Sequence, residues 1–139
     1  MLENVSTKLS DIQQDLLKLL APPPSTPVSA HSTPILIGHS LESDLHSLKL
    51  RHSRCIDTAL LYEHPRGRGS GMKPGLAWLV KKWCGREIRT AKRVVDGKEV
   101  VGHDPEEDSR ACIELVKKKI TNGRSIHYIL DVSKLKLRV

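Results

Sequence analysis

Apolar positions recur along the chain in short bursts whose spacing predicts one element after another. From Thr7 to Leu20, the residues Leu9, Ile12, Leu16, Leu19 and Leu20 fall on one helical stripe, with Thr7 placed to cap it. Residues 21–34 (APPPSTPVSAHSTP) are rich in Pro, Ser and Thr and predict a loop. Ile35-Leu36-Ile37, closed by Gly38, predicts a short buried strand, and Leu41, Leu45 and Leu48 mark one face of a helix begun by Ser40. Cys55-Ile56 predicts a second short strand, with Asp57 or Thr58 capping a turn into Ala59-Leu60-Leu61-Tyr62. Pro65 to Gly71 (PRGRGSG) is a basic, glycine-rich loop. Leu76, Leu79, Val80 and Trp83 then recur at helical spacing, and Gly85 ends that helix. Val94 to Val101 predicts a hairpin turning at Asp96-Gly97, and Pro105 to about Ile120 a last helix. The tail SIHYILDVSKLKLRV after Gly123 is ambiguous between strand and helix. Short strands alternating with helices make an α/β sheet domain the expected class.

Two carboxylates break the polar–apolar pattern. Asp44 lies three residues after Leu41 and four before Leu48, on the stripe expected to face inward. Asp108 lies three before Ala111, four before Cys112 and seven before Leu115, again on the apolar face. Both helices carry start signals: Ser40 for one, and Asp104, Pro105 and Glu107 for the other. Each Asp is the fourth residue after its cap and follows a Gly-His pair, Gly38-His39 and Gly102-His103. A partly desolvated carboxylate is costly unless it meets a cation or donors, and a divalent metal would satisfy two together. Unrelated acids at a stripe edge, paired with Lys or Arg, are the plainer reading of the same pattern.

Composition narrows the partners. The 139 residues suffice for one domain with a hydrophobic core, and the formal net charge of +7 favours a polyanion. A basic surface without a specific partner is the competing reading. With two Trp, two Tyr and no Phe, a base-stacking sheet is not expected, so contact with nucleic acid should run through phosphates and a pocket. Arg66, Arg68 and Lys73 are the candidates for gripping phosphate, against a merely solvated loop, while Lys81, Lys82 and Lys117 to Lys119 read as exposed helix faces. Cys55, Cys84 and Cys112, an odd and widely spaced set, read as reduced thiols. No apolar run approaches the length of a membrane span and no signal-peptide stretch opens the chain, so a soluble intracellular protein is expected.

Ile35 to Leu50 (ILIGHSLESDLHSLKL) and Gly102 to Ala111 (GHDPEEDSRA) resemble the second and third motifs of DEDDh exonucleases, the latter a His followed five residues later by Asp. Cys55-Ile56-Asp57-Thr58 and Lys73-Pro74-Gly75-Leu76 resemble the connecting elements in the same order. The resemblance covers about residues 5–120 and is nearest to the eukaryotic RNA exonucleases that trim RNA 3′ ends. It implies a ribonuclease-H-like α/β fold, hydrolysis with two Mg²⁺ or Mn²⁺ ions, and RNA 3′ ends as the partner, in a nuclear or nucleolar setting. Carried across, it makes Asp44 and Asp108 metal-site carboxylates and His103 the general base. His39 would face RNA or serve only to pack the helix entry.

The family's first motif, an Asp and a Glu one residue apart on the opening strand, has no counterpart before Ile35; the chain's one Asp-x-Glu is Asp104-Pro105-Glu106. Residues 1–122 are therefore expected to form a partial exonuclease domain lacking its first strands, with residues 92–102 as a hairpin insertion and 123–139 unassigned. Such a sheet would leave an open edge and an uncovered apolar face. Three outcomes remain open at this point: an exonuclease active in full-length form, a non-catalytic basic RNA-binding or scaffold remnant, and a piece that does not fold alone.

Overall fold

The computed structural model describes residues 6–21, 33–67, 71–88, 92–95 and 98–122, with the backbone alone for the two strands between 92 and 101. The expected tail, the turn at Asp96-Gly97, Arg68 and most of the Pro-rich stretch lie outside the described residues. Elements follow in the order α1 (Leu9–Leu20), β1 (Leu36–Gly38), α2 (Leu41–Ser47), β2 (Cys55–Asp57), α3 (Thr58–Leu61), α4 (Leu76–Cys84), β3 (Lys92–Val95), β4 (Lys98–Val101) and α5 (Pro105–Thr121). Strands β1 and β2 pair in parallel, with Leu36 opposite Cys55 and Gly38 opposite Asp57, and α2 is their crossover. Strands β3 and β4 form the antiparallel hairpin that the Asp-Gly turn predicts, Val95 opposite Lys98. The architecture is α/β, part of a ribonuclease-H-like fold. No helix of the described residues is long and apolar enough to cross a membrane.

The core is built by α4 and α5, which pack on each other while α5 also covers β1. Leu76, Leu79 and Val80 from α4 meet Ala111, Cys112 and Leu115 from α5, joined by Tyr62 and Ile88. Leu79, Val80 and Leu115 are completely buried, each stabilising the fold by about 1.5–3 kcal/mol. Tyr62 is locked by its hydroxyl, which donates to the Leu115 carbonyl at 2.8 Å, and burial pushes its pKa up to about 12. Gly85 ends α4 in the left-handed conformation expected of a helix-stopping glycine. Trp83, expected on the buried stripe, lies at the last turn of α4, where it packs on Tyr62 at the rim of the core and stays 38% exposed.

Of the two expected helix starts, one is observed and one is not. Asp104 caps α5, accepting from the Glu106 and Glu107 N–H groups. Ser40, by contrast, makes no side-chain cap; it sits in the left-handed region at φ 58°, a conformation that costs a non-glycine residue roughly 1–2 kcal/mol. The cap comes from Asp57, whose carboxylate accepts from Ser40 N at 2.8 Å, Leu41 N at 3.0 Å and its own helix's Ala59 N at 2.9 Å. Asp57 is buried, and these three donors satisfy it without a counter-charge. Gly38 matters to the same turn, since a Cβ there would collide with the Leu41 side chain.

Helix α1 starts at Leu9 rather than Thr7, and it is the Asp11 carboxylate that accepts from the Lys8 N–H. Its stripe does not enter the core: no α1 residue is buried, and Leu9, Ile12, Leu17 and Leu19 are exposed. The helix is tied down by Gln13 Nε2, which donates to the Leu48 carbonyl at 2.7 Å, and its Leu16 and Leu20 face a cavity rather than packed side chains.

Replacing Asp57 by Ala strands three buried or half-buried N–H donors at once. Urea unfolding of Asp57→Ala is expected to show a loss of about 3 kcal/mol against the parent chain. A loss under about 0.5 kcal/mol, within the range of an ordinary surface substitution, would contradict this account of the turn.

Candidate active site

The cavity beneath α1, about 480 Å³, is closed by β1, α2 and the N-terminal ends of α4 and α5. Its walls are largely leucine, among them Leu16, Leu20, Leu41, Leu45 and Leu48. The polar part of the lining is His39, Asp44, His103, Asp108 and Ser109. Residues from three separate stretches of sequence thus meet at one concavity, each placed by a helix entry.

Asp108 stands on the first turns of α5, one turn before the fully buried Ala111, and its side chain is 20% exposed. It is therefore inward-facing, as its spacing predicts. His103, in the loop just before the Asp104 cap, is 65% exposed and its Nδ1 lies 3.2 Å from Asp108 Oδ2. When Nδ1 carries the proton and donates to Asp108, Nε2 is the basic nitrogen of the ring.

Asp44 departs from expectation. It lines the cavity but is exposed, not desolvated. Helix α2 is seven residues long and buries only Leu41 and Leu45, so a residue flanking that narrow stripe emerges at the cavity mouth.

His39 joins the cavity through a short relay. Its Nδ1 is 2.9 Å from Thr58 Oγ1, and the Thr58 hydroxyl lies 3.0 Å from the Gly38 carbonyl and 3.9 Å from Cys112 Sγ. The carbonyl is the better acceptor, so Thr58 donates to Gly38 and receives from the His39 ring, which fixes the ring's tautomer and orientation. Thr58 is completely buried, so this ordering is part of the fold. Burial holds the Cys112 thiol above its ordinary value; the Thr58 hydroxyl opposes that shift, while the Asp108 and Asp57 charges add to it. Burial likewise raises Cys55, and raises Cys84 beside Glu114.

The basic loop lies elsewhere. Arg66 is exposed, its guanidinium on Met72 Sδ at 3.6 Å, and Lys73 pairs with Glu42 on α2 at 3.5 Å; neither lines the cavity. Arg68 lies outside the described residues. Lys82 and Lys119, expected as plain solvated faces, instead line a second cavity with Tyr62 and Trp83. Sequence spacing gave no signal for that grouping, which depends on α3, α4 and α5 packing together.

The donor types suit a hard divalent cation, since two carboxylate oxygen donors share one cavity. Their number does not: among the described residues no three His, Cys, Asp or Glu side chains group closely enough to hold an ion.

The fold matches the Pan2 catalytic unit of Neurospora crassa, a protease and nuclease domain structure, at a TM-score of 0.58 and 21% identity, over 94% of this chain and 18% of that one. In sequence the chain is 43% identical over 122 residues to an uncharacterized exonuclease of Schizosaccharomyces pombe, covering 88% of this chain and 16% of that protein. It is 37% identical over 115 residues to RNA exonuclease 1 of Saccharomyces cerevisiae, covering 83% of this chain and 17% of that protein. RNA exonuclease 5 of Homo sapiens is 37% identical over 122 residues, 88% of this chain and 13% of its own length. No family model matches the chain. The chain belongs to the RNA exonuclease family, and it spans less than a fifth of the length of these relatives.

The raised thiols give a direct check on how the cavity floor is packed. At pH 8 all three cysteines should remain largely protonated, and native Cys112 should be alkylated by iodoacetamide far more slowly than in the urea-unfolded chain. Equal rates in the two states would show that the floor is open.

Proposed function

We propose that this chain carries part of the reaction centre of a metal-dependent 3′–5′ exoribonuclease that trims RNA 3′ ends. The observation that carries the reading is the single cavity lined by Asp44, His103 and Asp108. Kinship with proteins named RNA exonucleases supports RNA as the substrate. In this reading Asp44 and Asp108 are metal-site carboxylates and His103 is the general base. Bound Mg²⁺ or Mn²⁺ would supply positive charge at the attacking and leaving oxygens of the phosphodiester. Asp108 holds the His103 ring so that Nε2 takes a proton from the attacking water, the new O–P bond forms, and the P–O3′ bond breaks. His39, oriented by Thr58, lies beside the same space and would contact the terminal nucleotide. Arg66, Arg68 and Lys73 would meet RNA phosphates away from the cavity.

With two carboxylates in reach and no group of three ligands among the described residues, the chain alone should cleave weakly or not at all. That same shortfall, with the net charge of +7, favours a second reading: a non-catalytic basic RNA-binding or scaffold remnant. The two part on one assay. RNA labelled at its 5′ end is incubated with Mn²⁺ and either this chain or the chain extended by a strand bearing an Asp-x-Glu pair. The exonuclease reading expects little trimming by the first. The second should give a ladder shortening from the 3′ end, slowed about 10²–10⁴-fold by His103→Ala. Robust trimming by the unextended chain, abolished by Asp108→Ala, would contradict the claim that its metal site is incomplete. No trimming by either, alongside salt-sensitive RNA binding, would favour the scaffold.

A further inference from the structure

Thr58, the first residue of α3, is completely buried and is not part of the acidic cavity's lining, yet the polar neighbours of its hydroxyl all are. The Gly38 carbonyl at the end of β1 lies 3.0 Å from Oγ1, and His39 Nδ1 at the entry to α2 lies 2.9 Å away. Cys112 Sγ, one turn beyond Asp108 on α5, lies 3.9 Å away. A hydroxyl has one proton and two lone pairs. Two oxygens 3.0 Å apart need a proton between them, so the Thr58 proton goes to the Gly38 carbonyl. Nδ1 must then bring a proton of its own, which takes up one lone pair. The other is left for the Cys112 thiol, a weak donor that burial keeps protonated. One oxygen thus serves three elements, and it joins the His39 side of the cavity to the helix that carries Asp108.

We propose that Thr58 is the positioning residue of the acidic cavity: from behind the wall, its hydroxyl holds the His39 ring in the Nδ1–H form and ties it to α5 one turn from Asp108. A threonine that served packing alone would need its methyl group and not its hydroxyl, and valine would do as well. Here the hydroxyl is the one group between the ring and the carbonyl, and with no exposed surface water cannot take its place. The tautomer has a chemical consequence. In the neutral ring Nε2 carries no proton, so its partner must be an O–H, an N–H or a metal ion and not a phosphate oxygen. Thr58 thereby sets what His39 can recognise: a ribose hydroxyl or a water suits it, a bare phosphate does not. A role in RNA cleavage rests on the function proposed above, whereas control of the ring by Thr58 does not.

The test separates the hydroxyl from the shape of the side chain. Thr58→Val keeps the volume and removes the hydroxyl; Thr58→Ser keeps the hydroxyl and removes a methyl group. In the full 139-residue chain, at a pH where the ring is neutral, proton–nitrogen correlation NMR of His39 reads which nitrogen carries the proton. The parent and Thr58→Ser should show Nδ1–H, and Thr58→Val a shift toward Nε2–H. An Nε2–H ring in the parent would overturn the proposal, whether or not Thr58→Val folds. So would Nδ1–H retained in Thr58→Val, or its equal loss in both variants, which would make packing the cause. In the chain extended by the Asp-x-Glu strand, Thr58→Val should slow trimming about tenfold or more, with Thr58→Ser near the parent. Undiminished trimming with the ring altered would remove Thr58 from the site. No trimming by any version, with the tautomers as expected, would sink the exonuclease reading and leave control of the ring by Thr58 in place.

Discussion

The Asp57 carboxylate accepts the backbone N–H groups of Ser40, Leu41 and Ala59, and these bonds join the entries of two helices to the ends of two parallel strands. With them in place, Ser40 can hold a left-handed backbone, α2 turns sharply out of β1, and His39 and Asp44 are set on either side of that turn. Without them the strain at Ser40 is uncompensated and the acidic cavity loses one wall. A buried carboxylate with no counter-ion is normally costly; here backbone donors replace water, so the charge serves as a clamp.

From that clamp the polar lining is assembled in two halves. One half, the half-buried His39 with Gly38 and the fully buried Thr58, has its proton direction fixed by the fold. The other, His103 with Asp108, is more open and sits at the positively polarised entry of α5, where a carboxylate is favoured.

Much of this was legible in the residues. The spacing of Leu76, Leu79 and Val80, and of Ala111, Cys112 and Leu115, defines the helix pair that makes the core, and Asp104-Pro105 marks where α5 begins. The inward turn of Asp108 follows from the same periodicity. Asp44 does not, because periodicity says which way a side chain points and not how deep its helix sits; α2 is short and buries only Leu41 and Leu45. The stripe on α1 is real as a pattern and remains exposed, since periodicity carries no information about what covers it. Asp57 was readable as a local cap for Ala59, but its bonds to Ser40 and Leu41 depend on strand register. The pairing of Tyr62 with Trp83 depends likewise on the packing of α4, and no spacing rule reaches it.

The account stands on Asp44, His103 and Asp108 sharing one cation-attracting cavity. Amide NMR of the chain titrated with trace Mn²⁺ reads that directly, because paramagnetic broadening marks whatever lies near the ion, even one weakly held. Signals around Asp44 and from His103 to Asp108 should fade together at the lowest additions, with those of Lys82 and Trp83 spared. Fading of the two groups at separate concentrations, or broadening centred elsewhere on the molecule, would contradict it.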